Sequence, residues 1–272
     1  MEKLKKIGKA LLPPALLSAY RRVTQSASHI GDYASWAEAL ENSTGYDSDV
    51  ILDKASSALL NVQSGKAAYE RDSVLFEQVE YSFPLLCGLL HAAVANKGKL
   101  TVLDFGGALG STYFQCRKLL SVVHPLAWCI VEQEKFVRRG QELFETDQLR
   151  FFYSVDECFE AVKPDLVLLS SVLQYIETPF ELLRTIMSSS VPYILIDRTP
   201  FTAMNTDHLC VQHVPPEIYP ASYPCWIFGE TKFNAYLQEQ YELMVGFDGT
   251  VDGVGSVGDV PFYHRGMIWK RR

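Results

Sequence analysis

The chain has 272 residues, 48% of them hydrophobic and 21% charged, which suffices to bury one large α/β core with some decoration. A net charge of −7 and a pI near 5.4 argue against broad nucleic-acid binding, and no apolar run reaches the roughly 18 residues of a membrane-spanning helix. The six cysteines form no C-x-x-C pair and read as reduced thiols of a cytoplasmic protein.

The first 22 residues run against the acidic balance: Lys3, Lys5, Lys6, Lys9, Arg21 and Arg22 against Glu2 give +5. Leu4, Ile7, Leu11 and Leu12 recur at helical spacing, Pro13-Pro14 interrupts, and Leu16, Leu17 and Tyr20 resume. Residues 1–25 thus read as a basic amphipathic segment, able either to dock on the rest of the chain or to touch an anionic membrane face from the cytoplasm. They open an N-terminal helical extension over 1–98, with helices expected at Trp36–Leu40, Asp49–Val62 and Phe76–Asn96. Gly65 and Gly98 stop the second and third, and Pro84 is expected to kink the third. Arg71 and Asp72, ahead of the third helix, either close a salt bridge or reach a ligand carboxylate.

Residues 100–113 combine a buried strand, a glycine turn and a helix start. The apolar run ends in Asp104, and Gly106, Gly107 and Gly110 allow a backbone path that a Cβ would obstruct. A dinucleotide fingerprint ending at Gly110 would need glycine where Phe105 stands. The acidic-x-Gly-x-Gly-x-Gly pattern of class I S-adenosylmethionine (SAM)-dependent methyltransferases fits better, matching at Asp104, Gly106 and Gly110 and departing at Ala108. The next strand ends in Glu132, 22 residues beyond Gly110, where a carboxylate can accept both hydroxyls of a ribose.

From Leu100 onward strand and helix patterns alternate, with strands near 100–105, 127–132, 150–155, 165–170 and 193–197. Helices are expected near 111–120, 135–144, 157–161 and 180–189 between them. Two further strands near 241–248 and 262–270 flank a glycine-rich stretch read as a flexible hairpin linker. The expected fold over 99–272 is therefore α/β, a Rossmann-like class I methyltransferase sheet of five parallel strands plus a C-terminal antiparallel hairpin. The fourth strand brings Ser170, Ser171, Gln174 and Tyr175 to the carboxyl edge, where open α/β sheets bind ligands.

Four segments, Asp104-Phe-Gly-Gly-Ala-Leu-Gly, Ser170-Ser-Val-Leu-Gln-Tyr-Ile, Ile196-Asp-Arg-Thr-Pro-Phe and Tyr219-Pro-Ala-Ser-Tyr-Pro, carry a resemblance from Trp36 to the C-terminus. The chain resembles an uncharacterised family of class I SAM-dependent methyltransferases associated with bacterial surface-polysaccharide loci. The resemblance implies SAM as cofactor and a small-molecule or glycan-precursor acceptor, and the acidic balance leads us to expect no nucleic-acid partner. It assigns Asp104, Gly106 and Gly110 to the cofactor turn, Glu132 to the ribose and Ser170 to the wall beside the methionine moiety; Gly107, an extra glycine in the pattern, is a further candidate for the cofactor turn.

Residues 198–229 are too long for an ordinary connection and read as a lid-like insertion. His213 or His208 is a candidate base for a hydroxyl acceptor, with Asp197 orienting the ring or the acceptor. Tyr175, Arg198 and Tyr223 are candidate substrate contacts, and Tyr219 and Trp226 offer further aromatic surface. Asp207, His208, Cys210 and His213 match no standard metal spacing, so no metal is expected. Two other readings stay open: a SAM-binding scaffold without catalysis, and a nicotinamide enzyme, which Phe105 and the terminal hairpin disfavour.

Overall fold

The structure is a computed structural model that describes residues 28–45, 48–71, 73–214, 221–249 and 254–272. The basic segment 1–25, Asp72 and Tyr219 lie outside the described residues.

In chain order, β1 (Ser28–Ile30) precedes α1 (Trp36–Glu41) and α2 (Ser48–Gln63). A short hairpin of β2 (Tyr69–Arg71) and β3 (Val74–Phe76) follows, then α3 (Phe83–Ala95). The region expected to be helical therefore also holds strands. Pro84 does not kink α3 but opens it, because a first-turn proline lacks only an N–H that has no intrahelical partner there anyway. Gly65 and Gly98 follow α2 and α3 at φ of 76° and 84°.

The alternating half begins with β4 (Leu100–Phe105), α4 (Ser111–Cys116) and a 3-10 turn over Leu119–Val122. Next come β5 (Leu126–Val131), α5 (Glu134–Leu143), β6 (Leu149–Phe152) and α6 (Val155–Ala161). β6 stops short of its expected end because Ser154 turns out of the sheet to cap α6, accepting the Glu157 amide at 3.1 Å. After β7 (Leu166–Ser170) a 3-10 turn over Leu173–Tyr175 leads to α7 (Pro179–Ser188) and the long β8 (Tyr193–Thr202).

These strands lie parallel in the order β6-β5-β4-β7-β8. Then come β9 (His208–His213) and β10 (Ser222–Gly229) within the insertion, followed by α8 (Glu230–Gln238), β11 (Tyr241–Asp248), β12 (Val254–Val257) and β13 (Val260–Arg271). β13 adds antiparallel to β8 and β11 antiparallel to β13. This is the Rossmann-like sheet, with its C-terminal antiparallel strands, that the alternation predicts.

Both faces of the sheet are covered. Successive residues of β7 point to opposite sides: Leu166 and Leu168 join a core with α2, α3, α4 and α5, while Val167 and Leu169 join one with α7 and α8. Each such fully buried leucine contributes about 1.5–3 kcal/mol. Within the expected flexible linker, β12 pairs with β13 through a tight turn at Gly258, φ 54°.

The expected lid is hydrogen-bonded β-structure. β9 and β10 form an antiparallel pair, β1 adds to the outer edge of β9, and the end of β10 runs beside the end of β8. α1 closes the outside, with Ala39 buried against Leu209 and Val211 and Trp36 stacked on Trp226 at 6.2 Å. Among the described residues no helix is long and apolar enough to cross a membrane.

Candidate functional site

The glycine turn follows β4 at the carboxyl edge. Asp104 is 1% exposed, and its Oδ2 accepts the indole N–H of Trp128 at 2.9 Å. Above it, a Cβ on Gly107 would stand 2.6 Å from the Asp104 carboxyl carbon, so only glycine lets the turn close over this acid. Asp104 therefore shapes the turn from beneath. Burial raises its carboxyl to about 7; the Trp128 bond opposes this, the Glu132 charge adds to it, and the Arg198 charge lowers it.

Ala108, the departure from the glycine pattern, takes φ 50° beside Gly106 at 70° and Gly110 at 105°. An alanine held there costs about 1–2 kcal/mol, and it keeps the left-handed backbone that glycine would give. Glu132, just past β5, accepts the Gln133 amide at 2.7 Å. Burial raises its carboxyl, and hydrogen bonds from the Gln133 and Ala108 amides pull it back. The turn and the strand-end acid are thus one hydrogen-bonded unit.

On the other side, Ser170 and Asp197 are register neighbours on β7 and β8, with Ser170 Oγ 3.5 Å from Asp197 Oδ2. The next residue on each strand is left-handed: Ser171 at φ 54° and Arg198 at φ 50°. Gln174 holds both, donating from Nε2 to Ser171 Oγ at 3.2 Å and to the Arg198 carbonyl at 3.4 Å. Gln174 is 2% exposed, and its Oε1 has no partner among the described residues. Two strained residues and an orphaned buried acceptor at a sheet's carboxyl edge mark a place built around something other than packing.

A third element escapes sequence reasoning. Glu70 on β2, 3% exposed, accepts the hydroxyl of Ser111, the first residue of α4, and the Ser73 amide at 3.1 Å. The β2–β3 hairpin is thereby fixed beside the glycine turn. Its Tyr69-Glu-Arg-Asp-Ser surroundings carry no signal that singles out Glu70. Arg71 pairs with Glu80 at 3.4 Å and lies over the Phe76 ring.

Tyr175 and Tyr223 meet edge to face at 5.1 Å, and the Tyr175 hydroxyl donates to Gln212 Oε1 at 2.9 Å. The histidines fall elsewhere. His213 leaves β9 on the face of Leu209 and Val211, the one packed on α1, whereas Gln212 leaves on the face toward Tyr175. His208 shares the Gln212 face, but its Nδ1 lies 3.7 Å from Asp32 and its Nε2 3.2 Å from Thr206 Oγ1. Strand parity thus sets His213 on the α1 side of β9, and His208 stands near Asp32 and Thr206. Asp207 instead accepts the Gly229 amide at 2.9 Å at the start of α8, and Cys210 is buried in the hairpin's core.

No family model matches the chain, and no curated protein matches it. Among solved structures, the N-terminal domain of EvdMO1 crystallised in the presence of SAH and D-fucose is 17% identical with a TM-score of 0.45, over 75% of this chain and 90% of that one. Magnesium protoporphyrin IX methyltransferase (ChlM) from Synechocystis PCC 6803 with bound SAM is 17% identical with a TM-score of 0.40, over 70% and 79%. Mitomycin 7-O-methyltransferase MmcR is 17% identical with a TM-score of 0.40, over 69% and 53%. The fold class rests on the strand order, not on these loose likenesses.

Proposed function

We propose that this chain is a SAM-dependent methyltransferase acting on a small polar or sugar-linked acceptor, by O-methylation in surface-glycan biosynthesis. The observation that carries the reading is Ala108: in the pattern's departing position it keeps a left-handed backbone and turns its amide to Glu132. An ordinary strand-to-helix turn has no need of either feature.

SAM, when bound, supplies a sulfonium methyl for transfer. The residues fit it: Gly106, Gly107 and Ala108 are only part-buried, Glu132 would offer a carboxylate to ribose hydroxyls, and Ser170 would stand beside the methionine end. Asp197, 4% exposed beside Ser170, is the acid placed to orient an acceptor hydroxyl, with Arg198 next to it in sequence. Orientation of this kind supplies about 7–11 kcal/mol of a transfer barrier. Tyr175 and Tyr223 form one aromatic corner for the acceptor. The protein is cytoplasmic in this reading, with residues 1–25 touching the inner membrane face.

A second reading, a SAM-binding scaffold without catalysis, draws on the placement of the histidines, His213 on the α1 side of β9 and His208 near Asp32 and Thr206. Incubation with SAM and a panel of sugar-nucleotide acceptors separates the two. Acceptor-dependent SAH release supports transfer, whereas tight SAM binding with no SAH release across the panel contradicts it.

A further inference from the structure

The strands are parallel, so β4 and β5 begin together at the amino edge, opposite the glycine turn. There the Gly98 carbonyl accepts the His124 amide at 2.9 Å, and the Leu100 amide donates to the Pro125 carbonyl at 3.0 Å. This ties the Lys97-Gly98-Lys99 turn to a cavity of about 480 Å³ lined by Arg117, Lys118 and His124 above an apolar floor that includes Leu120 and Leu126. Lys97, Lys99, Arg117 and Lys118 are all exposed. Close to them in sequence are exposed apolar side chains: Val94 at 78%, Val122 at 76% and Leu119 at 39%. From Tyr81 to Val131 the sequence has a single acid, Asp104, and it is buried at the other edge. Glu145 and Asp147, near the cavity residue Gln148, bound the face on one side, and on the other Asp165 accepts the Asn96 side chain at 2.9 Å and the Thr101 amide at 2.7 Å.

We propose that this amino edge is a docking face for an anionic membrane surface. In a chain of net −7, four exposed cations at one sheet edge with exposed valine and leucine have the chemistry of a peripheral membrane contact. The cations meet lipid phosphates while Leu119 and Val122, on one short 3-10 turn, enter the headgroup region. Nucleic acid or an acidic protein would engage the charges but leave that apolar turn in water. The basic residues among 1–22 supply the same chemistry from the sequence, and single weak anchors work in pairs. Docking by this edge turns the carboxyl-edge site away from the bilayer. The inference stands independently of methyl transfer.

The test is co-sedimentation of the full-length chain with vesicles of phosphatidylcholine alone and with about 30% phosphatidylserine, a composition that sets a negative surface potential. The chain is expected on the anionic vesicles only. K97E/K99E/R117E/K118E is expected to weaken binding at least about tenfold, since each basic residue near such a surface adds roughly one kcal/mol. L119D/V122D, which keeps the cations, is expected to weaken it too, and K3E/K5E/K6E/K9E reports the N-terminal share separately. All these substitutions sit on exposed or N-terminal positions, and matching thermal melts show that the fold is intact. Wild-type failure to bind, equal binding to neutral vesicles, unchanged binding of the fourfold edge variant, or binding to polyuridylate in preference to vesicles would each overturn the proposal.

Discussion

Trp128 donates its indole N–H to the Asp104 carboxyl at 2.9 Å, directly beneath the turn that Gly107 closes. The bond crosses from β5 to β4, so the acid that shapes the glycine turn is held by the neighbouring strand. With its carboxyl at about 7 against an ordinary 3.8, Asp104 binds a proton more readily in the folded chain than in the unfolded one. Stability from this group is therefore greatest at acidic pH and falls as pH rises toward and through 7.

Urea denaturation at pH 5 and pH 8 is expected to show that loss, about 3 kcal/mol from Asp104 alone. Asp104→Asn keeps an acceptor for Trp128 and removes the titration, so its stability is expected to change less over the same interval. Equal slopes for the two proteins would show that Asp104 ionises normally.

Gly107→Ala drives a methyl group to within 2.6 Å of the Asp104 carboxyl, and neither the buried acid nor the turn has room to yield. A cost of about 2 kcal/mol or more is expected in chemical denaturation, together with loss of SAH binding. An alanine variant as stable as wild type contradicts the close approach.

Gln174→Leu fills the same space but releases Ser171 and the Arg198 carbonyl from the one side chain that holds both. The expected destabilisation is about 1–3 kcal/mol, because it strips partners from strained backbone. Gln174→Glu is expected to bind SAH less well than wild type at unchanged secondary structure by circular dichroism. Identical affinity would remove Gln174 from the site.

Cys87 alone among the cysteines is exposed; the other five are buried and unpaired. The Cys116 thiol is pushed up to about 12, first by burial and then by the charges of Asp104 and Asp197. Iodoacetamide on the native protein is expected to label Cys87 and spare the rest, read by peptide mass spectrometry, with all of them reacting in urea. Native labelling of Cys116 would contradict its placement.

The alternating half of the chain was legible because its order is local. Apolar runs such as Leu166–Ser170, each followed by a helical stripe, place strand after strand, and a final pair of strands closes the sheet. Pairings across long separations were not. Ser28 pairs with His213 through a short strand whose polar residues carry no period, so nothing local announced that the expected lid would be stitched to the N-terminal region. The turn and Glu132 could be read from spacing, yet the side on which an acid faces could not. Asp104 could be placed at the strand end from the sequence, but not its position beneath Gly107 or its bond to Trp128. His213 likewise looked available in sequence, and the two-residue period of β9 turns it toward α1. Glu70 approaches Ser111 from 41 residues away and left no motif.

The central claim is that the turn around Ala108 and the carboxylate of Glu132 together hold an adenosyl group. Isothermal titration of SAH, with NAD as the competitor ligand, into wild type and Glu132→Ala tests it most directly. The account predicts that wild type binds SAH and not NAD, and that the variant loses at least about tenfold in affinity, as removal of charge-assisted hydrogen bonds implies. No heat with SAH, or equal SAH affinity in both proteins, would contradict it.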